Sequence, residues 1–296
     1  MAAKNSKRLK QWPFSPINKA HAIVEVVFFV QFVPDFSETA IRKLVGIEHD
    51  LKNELPKPSQ IHKIEAALKL GPEGPAFRQG PFQEKLTGIE LQSIKRDGSL
   101  DWMLRISENT ISVHCLDYST WEKVLQQARK YLYTAFKRTE GTGSFIAAIG
   151  LKYIDRFLYE GNEDEYNASG LFDPETDLIF RRAFSSTPLW HCHSGWFEDQ
   201  RVMDIAVPCL NQLNIDAVFT NISGQRRHVT TIDHNVIARM LSPEEKSVAS
   251  VIGEQEDEST FLSQLMHALH RINKKVLARL LTEGMAKRIN LGVETI

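Results

Sequence analysis

The sequence has few cysteines, no long apolar run and almost no net charge. Its 296 residues include only Cys115, Cys192 and Cys209, with no Cys-x-x-Cys pair, which predicts a reduced, cytoplasmic setting rather than a disulfide framework. The longest apolar run, 22–33, contains Glu25 and Gln31 and is too short to span a bilayer, so we expect no membrane contact. A formal net charge of -1 argues against a surface that binds nucleic acid everywhere.

Catalytic signatures are missing as well. The sequence has no Gly-x-Ser-x-Gly motif, no phosphate-binding loop ending in Gly-Lys-Ser/Thr, no Gly-x-Gly-x-x-Gly after a strand and no His-Glu-x-x-His. The N-terminus lacks the apolar segment of a secretory signal. We therefore expect no catalytic residues and no cofactor.

The pattern of apolar residues is that of an ordinary globular protein built around one central strand. Apolar residues make up 42% of the chain and charged residues 25%. In the stretch 146–159, alternate positions fall on two faces of a strand, and both faces are mostly apolar. This predicts a strand at the middle of the chain that is covered on both sides.

The order of predicted elements occurs twice. Residues 21–140 and 145–296 each read as a strand, a helix, three or four antiparallel strands and a long helix, preceded by a basic tail at 1–20 that we expect to be disordered. The prediction is therefore an α+β fold of two similar halves, with an internal duplication that rests on element order alone.

Short sequence patterns predict the ends of several helices and strands. Asp97-Gly98 predicts a tight hairpin turn, Ser119 and Glu122 form a capping-box pattern before a long helix, and Asp173-Pro174 predicts the start of a helix that ends near residue 184. Residues 189–198, 201–207, 213–222 and 227–232 read as four strands, and 259–281 as the closing helix.

Two groups of histidines could carry chemistry. His191 and His193 fall on one face of a predicted strand, where Asp204 or Asp216 from neighbouring strands could complete a divalent-metal site. No second His or Cys pair stands at metal spacing, so two hydrogen-bonded sheet histidines explain the pattern better and we predict no metal. His228, Asp233 and His234 cluster near a predicted strand end and could act as an acid–base pair or simply belong to a polar loop. His267 and His270 on the closing helix read as solvated side chains.

The closing helix carries the main concentration of positive charge. Arg271, Lys274, Lys275 and Arg279 follow an acidic segment, an order that complements the helix dipole. The same four residues could instead bind nucleic acid or an acidic protein. Exposed aromatics do not alternate with them, so a protein partner is the preferred interpretation.

Four stretches together resemble a sporadically distributed family of uncharacterised bacterial and archaeal proteins. They are AIVEVVF near the N-terminus, GLKYIDRF at the centre, LNIDAVF, and LHRIN in the closing helix. Tyr153, Arg156, Asp216 and His270 match the family pattern, whereas Asp155 stands where the family has Asn and Asn214 where it has Asp. The resemblance implies a structural hydrogen-bond network of Tyr153, Asp155, Arg156 and Asp216, and a place in an antiphage defence or toxin–antitoxin-like locus.

Three functions remain open on the sequence. The preferred one is a non-enzymatic, partner-binding subunit that senses or inhibits, with a protein partner. The alternative is a protein that binds nucleic acid, or processes it with a metal held by His191, His193 and Asp216. The third is a small-molecule cavity enclosed between the sheet and a long helix. The sequence gives no indication of homo-oligomerisation.

Overall fold

The computed structural model describes residues 13–18, 20–65, 70–71, 74–75, 83–185, 187–240 and 260–292. Ten strands form one sheet in which every pair of neighbours is antiparallel. These strands are β1 (Phe14–Pro16), β2 (Ile23–Val33), β3 (Lys57–Glu65), β6 (Gln83–Ile94), β7 (Leu100–Ser107), β8 (Thr110–Cys115), β9 (Phe145–Tyr159), β10 (Trp190–Val202), β11 (Ile205–Ile222) and β12 (Gln225–Arg239). Two very short strands, β4 (Leu70–Gly71) and β5 (Gly74–Pro75), pair only with each other.

Five helices accompany the sheet in the described ranges. They are α1 (Glu38–Val45), α2 (Ile47–Asp50), α3 (Trp121–Thr139), α4 (Phe261–Leu280) and α5 (Glu283–Arg288), with 3-10 turns at Glu163–Glu165, Ala168–Gly170 and Arg181–Ser185. The hydroxyls of Ser37 and Thr260 cap α1 and α4. The capping-box prediction for α3 is wrong, because Thr120 is its N-cap residue and makes no side-chain capping bond. No helix in these ranges has both the length and the apolar character that crossing a membrane requires.

The strand order shows that the predicted fold of two similar halves is wrong. The sheet runs β10-β11-β12-β9-β2-β8-β7-β6-β3, and β9 is bonded to β12 along one side and to β2 and β1 along the other. Residues 21–140 and 145–296 therefore share one sheet, and the largest buried cluster contains side chains from both. The element order along the chain could not reveal this, because it does not specify which strands pair.

One face of the sheet is covered by helices, and the other is open. α3 packs on β8, and α4 packs on β9, β10 and β12. On β9 the odd-numbered residues from Ile149 to Tyr159 are buried, whereas Lys152, Ile154, Arg156 and Leu158 are only partly buried or exposed. The prediction of a strand covered on both sides thus holds at Ala148 and Gly150, which are also buried, and fails from Lys152 onward. Lys152 and Arg156 belong to an accessible face because their charged ends must reach water or a partner.

Several local predictions hold and others fail. The central strand, the hairpin at Asp97-Gly98 and the closing helix are confirmed within a few residues. The segment from Asp173 does not form the predicted helix: Asp173 N–H donates to the carbonyl of Leu280, and Phe172 forms a bridge with Leu281, which ties the chain to the end of α4. The four strands predicted over 189–232 are three longer ones.

The predicted disordered tail needs correction at one point. Phe14–Pro16 is strand β1, paired with the end of β9, and the Phe14 side chain is fully buried. Residues 1–12 and 19 of that tail lie outside the described residues, as does the acidic segment within 241–259.

Candidate functional site

A cavity of about 320 Å³ lies between the sheet and α4. Its floor is formed by side chains of β9 and β12, one wall by α4, and the rest by the segments that enter β2 and α3 and by residues after α5. Its polar lining includes His21, Glu122, Asp155, His234, Asn273 and Lys274, among apolar residues such as Ile23, Ile232 and Leu277. A volume of this size lies at the lower end of small-molecule sites in proteins.

A chain of rings and hydrogen bonds closes one side of the cavity. The hydroxyl of Tyr153 lies 2.8 Å from Nδ1 of His270. The imidazole of His270 stacks on Trp121, with ring centres 4.0 Å apart and planes 6° from parallel. Trp121 in turn donates its indole N–H to Nδ1 of His267 at 3.0 Å. These contacts fix α3, α4 and β9 to one another, so this wall is preorganised.

Two histidines at the cavity are held in the neutral form. Burial lowers the pKa of His270 to about 3, and the positive charge of Lys274 contributes to the shift. Burial lowers the pKa of His234 to about 4, and its Nε2 pairs with Oδ1 of Asn211 at 3.1 Å. Both imidazoles therefore act near neutral pH as hydrogen-bonding groups and not as cations.

In the part of the chain that the structure describes, Asp155, His21 and His234 each place one buried atom without a partner at the cavity, and Asp155 is the one carboxyl among them. It is 4% exposed, and among the described residues its Oδ1 has no hydrogen-bond partner. Burial raises the pKa of this carboxyl to about 7. His21 also lines the cavity, and among the described residues its buried Nδ1 has no hydrogen-bond partner. A ligand could satisfy both groups at once.

The structural network predicted from the resemblance is divided between the two faces. Tyr153 and Asp155 face the helices, whereas Arg156 lies on the open face. The carboxylate of Asp216 is hydrogen-bonded to His191, with Nδ1 of the imidazole 2.7 Å away. The four residues therefore do not satisfy one another, because adjacent residues of a strand point to opposite sides of the sheet.

Of the described residues proposed to bind a metal, only His191 and Asp216 are in contact. Their side chains are 56% and 42% exposed, and His193 stands opposite Asn214 in the strand register. In the part of the chain that the structure describes, no three His, Cys, Asp or Glu side chains group together as metal ligands would. The pair is a charge-assisted hydrogen bond on the open face.

The four basic residues of α4 do not form one surface. Arg271, Lys275 and Arg279 are exposed, and Arg279 pairs with Asp177 at 2.7 Å, whereas Lys274 lines the cavity. Three of the predicted basic residues therefore remain at the surface of α4, and Lys274 lies beside the cavity.

Other histidine predictions are corrected by the same geometry. His228, near the start of β12, and His234, in its middle, are buried, whereas Asp233 points to the open face and pairs with Lys152 at 2.7 Å. They do not form an acid–base pair at a strand end. His270 is not a solvated helix residue, and its position four residues after the apolar Met266 was a signal for this in the sequence.

The cysteines offer no reactive group at the cavity. All three are buried free thiols, and burial raises the pKa of Cys115 and of Cys209 to about 12. Since the thiolate is the reactive form, neither can act as a nucleophile near neutral pH.

No protein-family model matches the chain, and no curated protein matches it.

Proposed function

We propose that this protein is a non-enzymatic binding or sensing subunit that holds a small molecule in the cavity between α4 and the sheet. The observation that supports this most directly is the unpartnered Oδ1 of Asp155 beside the cavity. Buried polar groups nearly always have partners, and one that faces a cavity can obtain its partner from a bound ligand.

The absence of an assembled reaction centre in the described residues favours binding over catalysis. Asp155 could serve as a base, since its pKa is about 7, but a nucleophile would have to lie beside it. The hydroxyl of Tyr153 is engaged with His270, and burial raises its pKa well above the usual value. Catalysis would need a further group.

Helix α4 offers a physical route from the cavity to a protein partner. Its inner side contributes Asn273 and Lys274 to the cavity, and its outer side exposes Arg271 and Lys275. A ligand that contacts the inner side stabilises one position of α4. A partner that binds the outer side in that position then binds the liganded protein more tightly. The resemblance to the sporadic family supports a partner from a defence or toxin–antitoxin-like locus.

A fragment screen followed by thermal unfolding tests the proposal. Fragments of about ten non-hydrogen atoms that raise the melting temperature of the wild-type protein should fail to do so for Leu277→Trp, whose indole fills the cavity. Lys275→Trp adds the same ring to the outer side of α4 and should respond like wild type. If Leu277→Trp responds to the same fragments as wild type, the cavity is not the binding site.

Nucleic-acid binding is the second candidate, supported by the exposure of Arg271 and Lys275 on one helix. A gel shift at about 50 mM salt, where phosphate contacts are strong, tests it with the Arg271→Ala, Lys275→Ala double variant as control. No shift for the wild-type protein would remove this candidate.

A further inference from the structure

The carboxyl of Asp155 is placed where its charge is costly. It sits on the covered face of β9, in register with Ile232 of β12 and Ile23 of β2, and both of those side chains also line the cavity. A carboxylate among apolar neighbours is destabilising unless a cation or several donors surround it. In the described residues, no ion pair to Asp155 is formed.

The groups around Asp155 leave its charge uncompensated. Tyr118 and Tyr153 are neutral phenols, because burial raises the pKa of Tyr118 to about 12 and that of Tyr153 well above its usual value. His234 and His270 are neutral because burial lowers the pKa of both imidazoles. The other titratable groups that line the cavity are His21, Glu122 and Lys274, and the raised pKa of Asp155 is caused by burial, with no contribution from their charges.

We infer that the ligand of the cavity is a small organic cation, with an amine, amidine or guanidine nitrogen that binds the carboxylate of Asp155. This rests on the proposed function. A cation supplies both the N–H donors and the positive charge that the carboxylate lacks. The apolar body of the ligand lies against Ile23, Ile232 and Leu277.

The pH dependence of binding follows from the ionisation of Asp155. With a pKa of about 7, the carboxyl is mostly ionised at pH 8 and mostly protonated at pH 5.5. A cation that requires the carboxylate should bind about thirtyfold more weakly at pH 5.5 than at pH 8, because protons compete for the same oxygen atoms. His21 also lies in the cavity, so the comparison needs a variant that lacks only the carboxylate.

Isothermal titration of the full chain with benzamidine and with its neutral analogue benzamide tests the inference. Benzamidine should bind the wild-type protein at pH 8, at least tenfold more weakly in Asp155→Asn, and without the thirtyfold pH effect in that variant. Benzamide should bind Asp155→Asn at least as well as wild type. Asp216→Asn, which removes a carboxylate from the opposite face, should bind benzamidine as wild type does.

The outcomes separate this inference from the proposed function. If benzamidine and benzamide bind with affinities that Asp155→Asn leaves unchanged but Leu277→Trp abolishes, the cavity binds ligands and the preference for a cation is wrong. If benzamidine does not bind the wild-type protein at pH 8, the inference is overturned, and the fragment screen alone decides the proposed function.

Discussion

The carboxyl of Asp155 destabilises the unliganded fold and is available to bind a ligand. Its Oδ1 is buried without a partner in the described residues, beside a cavity that His21 and His234 also line, each with its Nδ1 unpartnered. Sites that bind ligands commonly retain such unfavourable groups, since the ligand and not the fold satisfies them.

The first prediction concerns the stability of the unliganded protein with and without this carboxyl. The unfolded chain releases the Asp155 proton near pH 4, whereas the folded chain holds it to about pH 7. The favourable contribution of the protonated form is therefore complete below about pH 4 and is lost as the pH rises to 7. Asp155→Asn should raise the free energy of unfolding by about 2–4 kcal/mol at pH 8 and change it little at pH 4.

Urea unfolding at both pH values measures this difference. Asp216→Asn is the matched control, because it removes an exposed carboxylate on the other face and should not gain stability at pH 8. Equal effects of Asp155→Asn at pH 4 and pH 8 would contradict the raised pKa.

The second prediction concerns the contact between Tyr153 and His270. Removing the hydroxyl in Tyr153→Phe leaves a buried imidazole nitrogen without its partner, which should lower the free energy of unfolding by about 1–2 kcal/mol. In a double-mutant cycle with His270→Phe, the coupling energy should be about 1 kcal/mol. A coupling near zero would show that the 2.8 Å contact contributes nothing.

The sequence pattern could predict the position of some of the side chains that line the cavity, but not of others. The alternation along β9 places Tyr153 and Asp155 on one face, and this follows from the sequence alone. That Asp155 meets a cavity depends on α4, which is more than a hundred residues away in the chain. His21 and the segment with Tyr118 and Trp121 are almost a hundred residues apart, so no local spacing links them to each other or to Asp155.

At the scale of elements, strand pairing depends on places where two backbones come close. Gly88 of β6 stands opposite Ser107 of β7, and a Cβ atom at Gly88 would lie 1.9 Å from the carbonyl oxygen of Ile106. Because that atom is backbone, it cannot rotate away as a side chain could. Only glycine allows this approach.

The third prediction follows from that contact. Gly88→Ala should lower the free energy of unfolding by about 2–3 kcal/mol, since the two strands must separate locally. Gly292→Ala is the control, because a Cβ there meets nothing within 4 Å. Chemical denaturation of both variants measures the effect, and similar stabilities would argue against the register of β6 and β7.

Elements with strong local signals were predictable, and those fixed by distant contacts were not. The apolar stripe of α4 and the Asp-Gly turn before β7 are encoded within short segments. Asp173-Pro174 carries an equally clear helix signal, but backbone bonds to the end of α4 hold that segment in another conformation. Tertiary contacts override local preference there.

At the scale of the whole molecule, β2 and β9 join the two parts of the chain into one sheet. Their pairing extends along almost the full length of β2, and side chains of α3 and α4 pack in the same buried cluster. The repeated order of elements therefore does not mark two independently folded units.

The fourth prediction is that the N-terminal part does not fold alone. A fragment of residues 13–140 would expose the edge of β2 that β9 covers and would lose α4, so it should lack the native near-ultraviolet circular dichroism and cooperative unfolding. The full chain should unfold in a single transition, with circular dichroism and tryptophan fluorescence changing together. A fragment that unfolds cooperatively by itself would contradict the continuous sheet.

A crystal of the full chain soaked at pH 8 with benzamidine tests the central claim most directly. The account predicts electron density for the ligand in the cavity between α4 and the sheet, with its amidinium within hydrogen-bonding distance of Asp155. A cavity that holds only water, while benzamidine binds elsewhere on the protein, would contradict it.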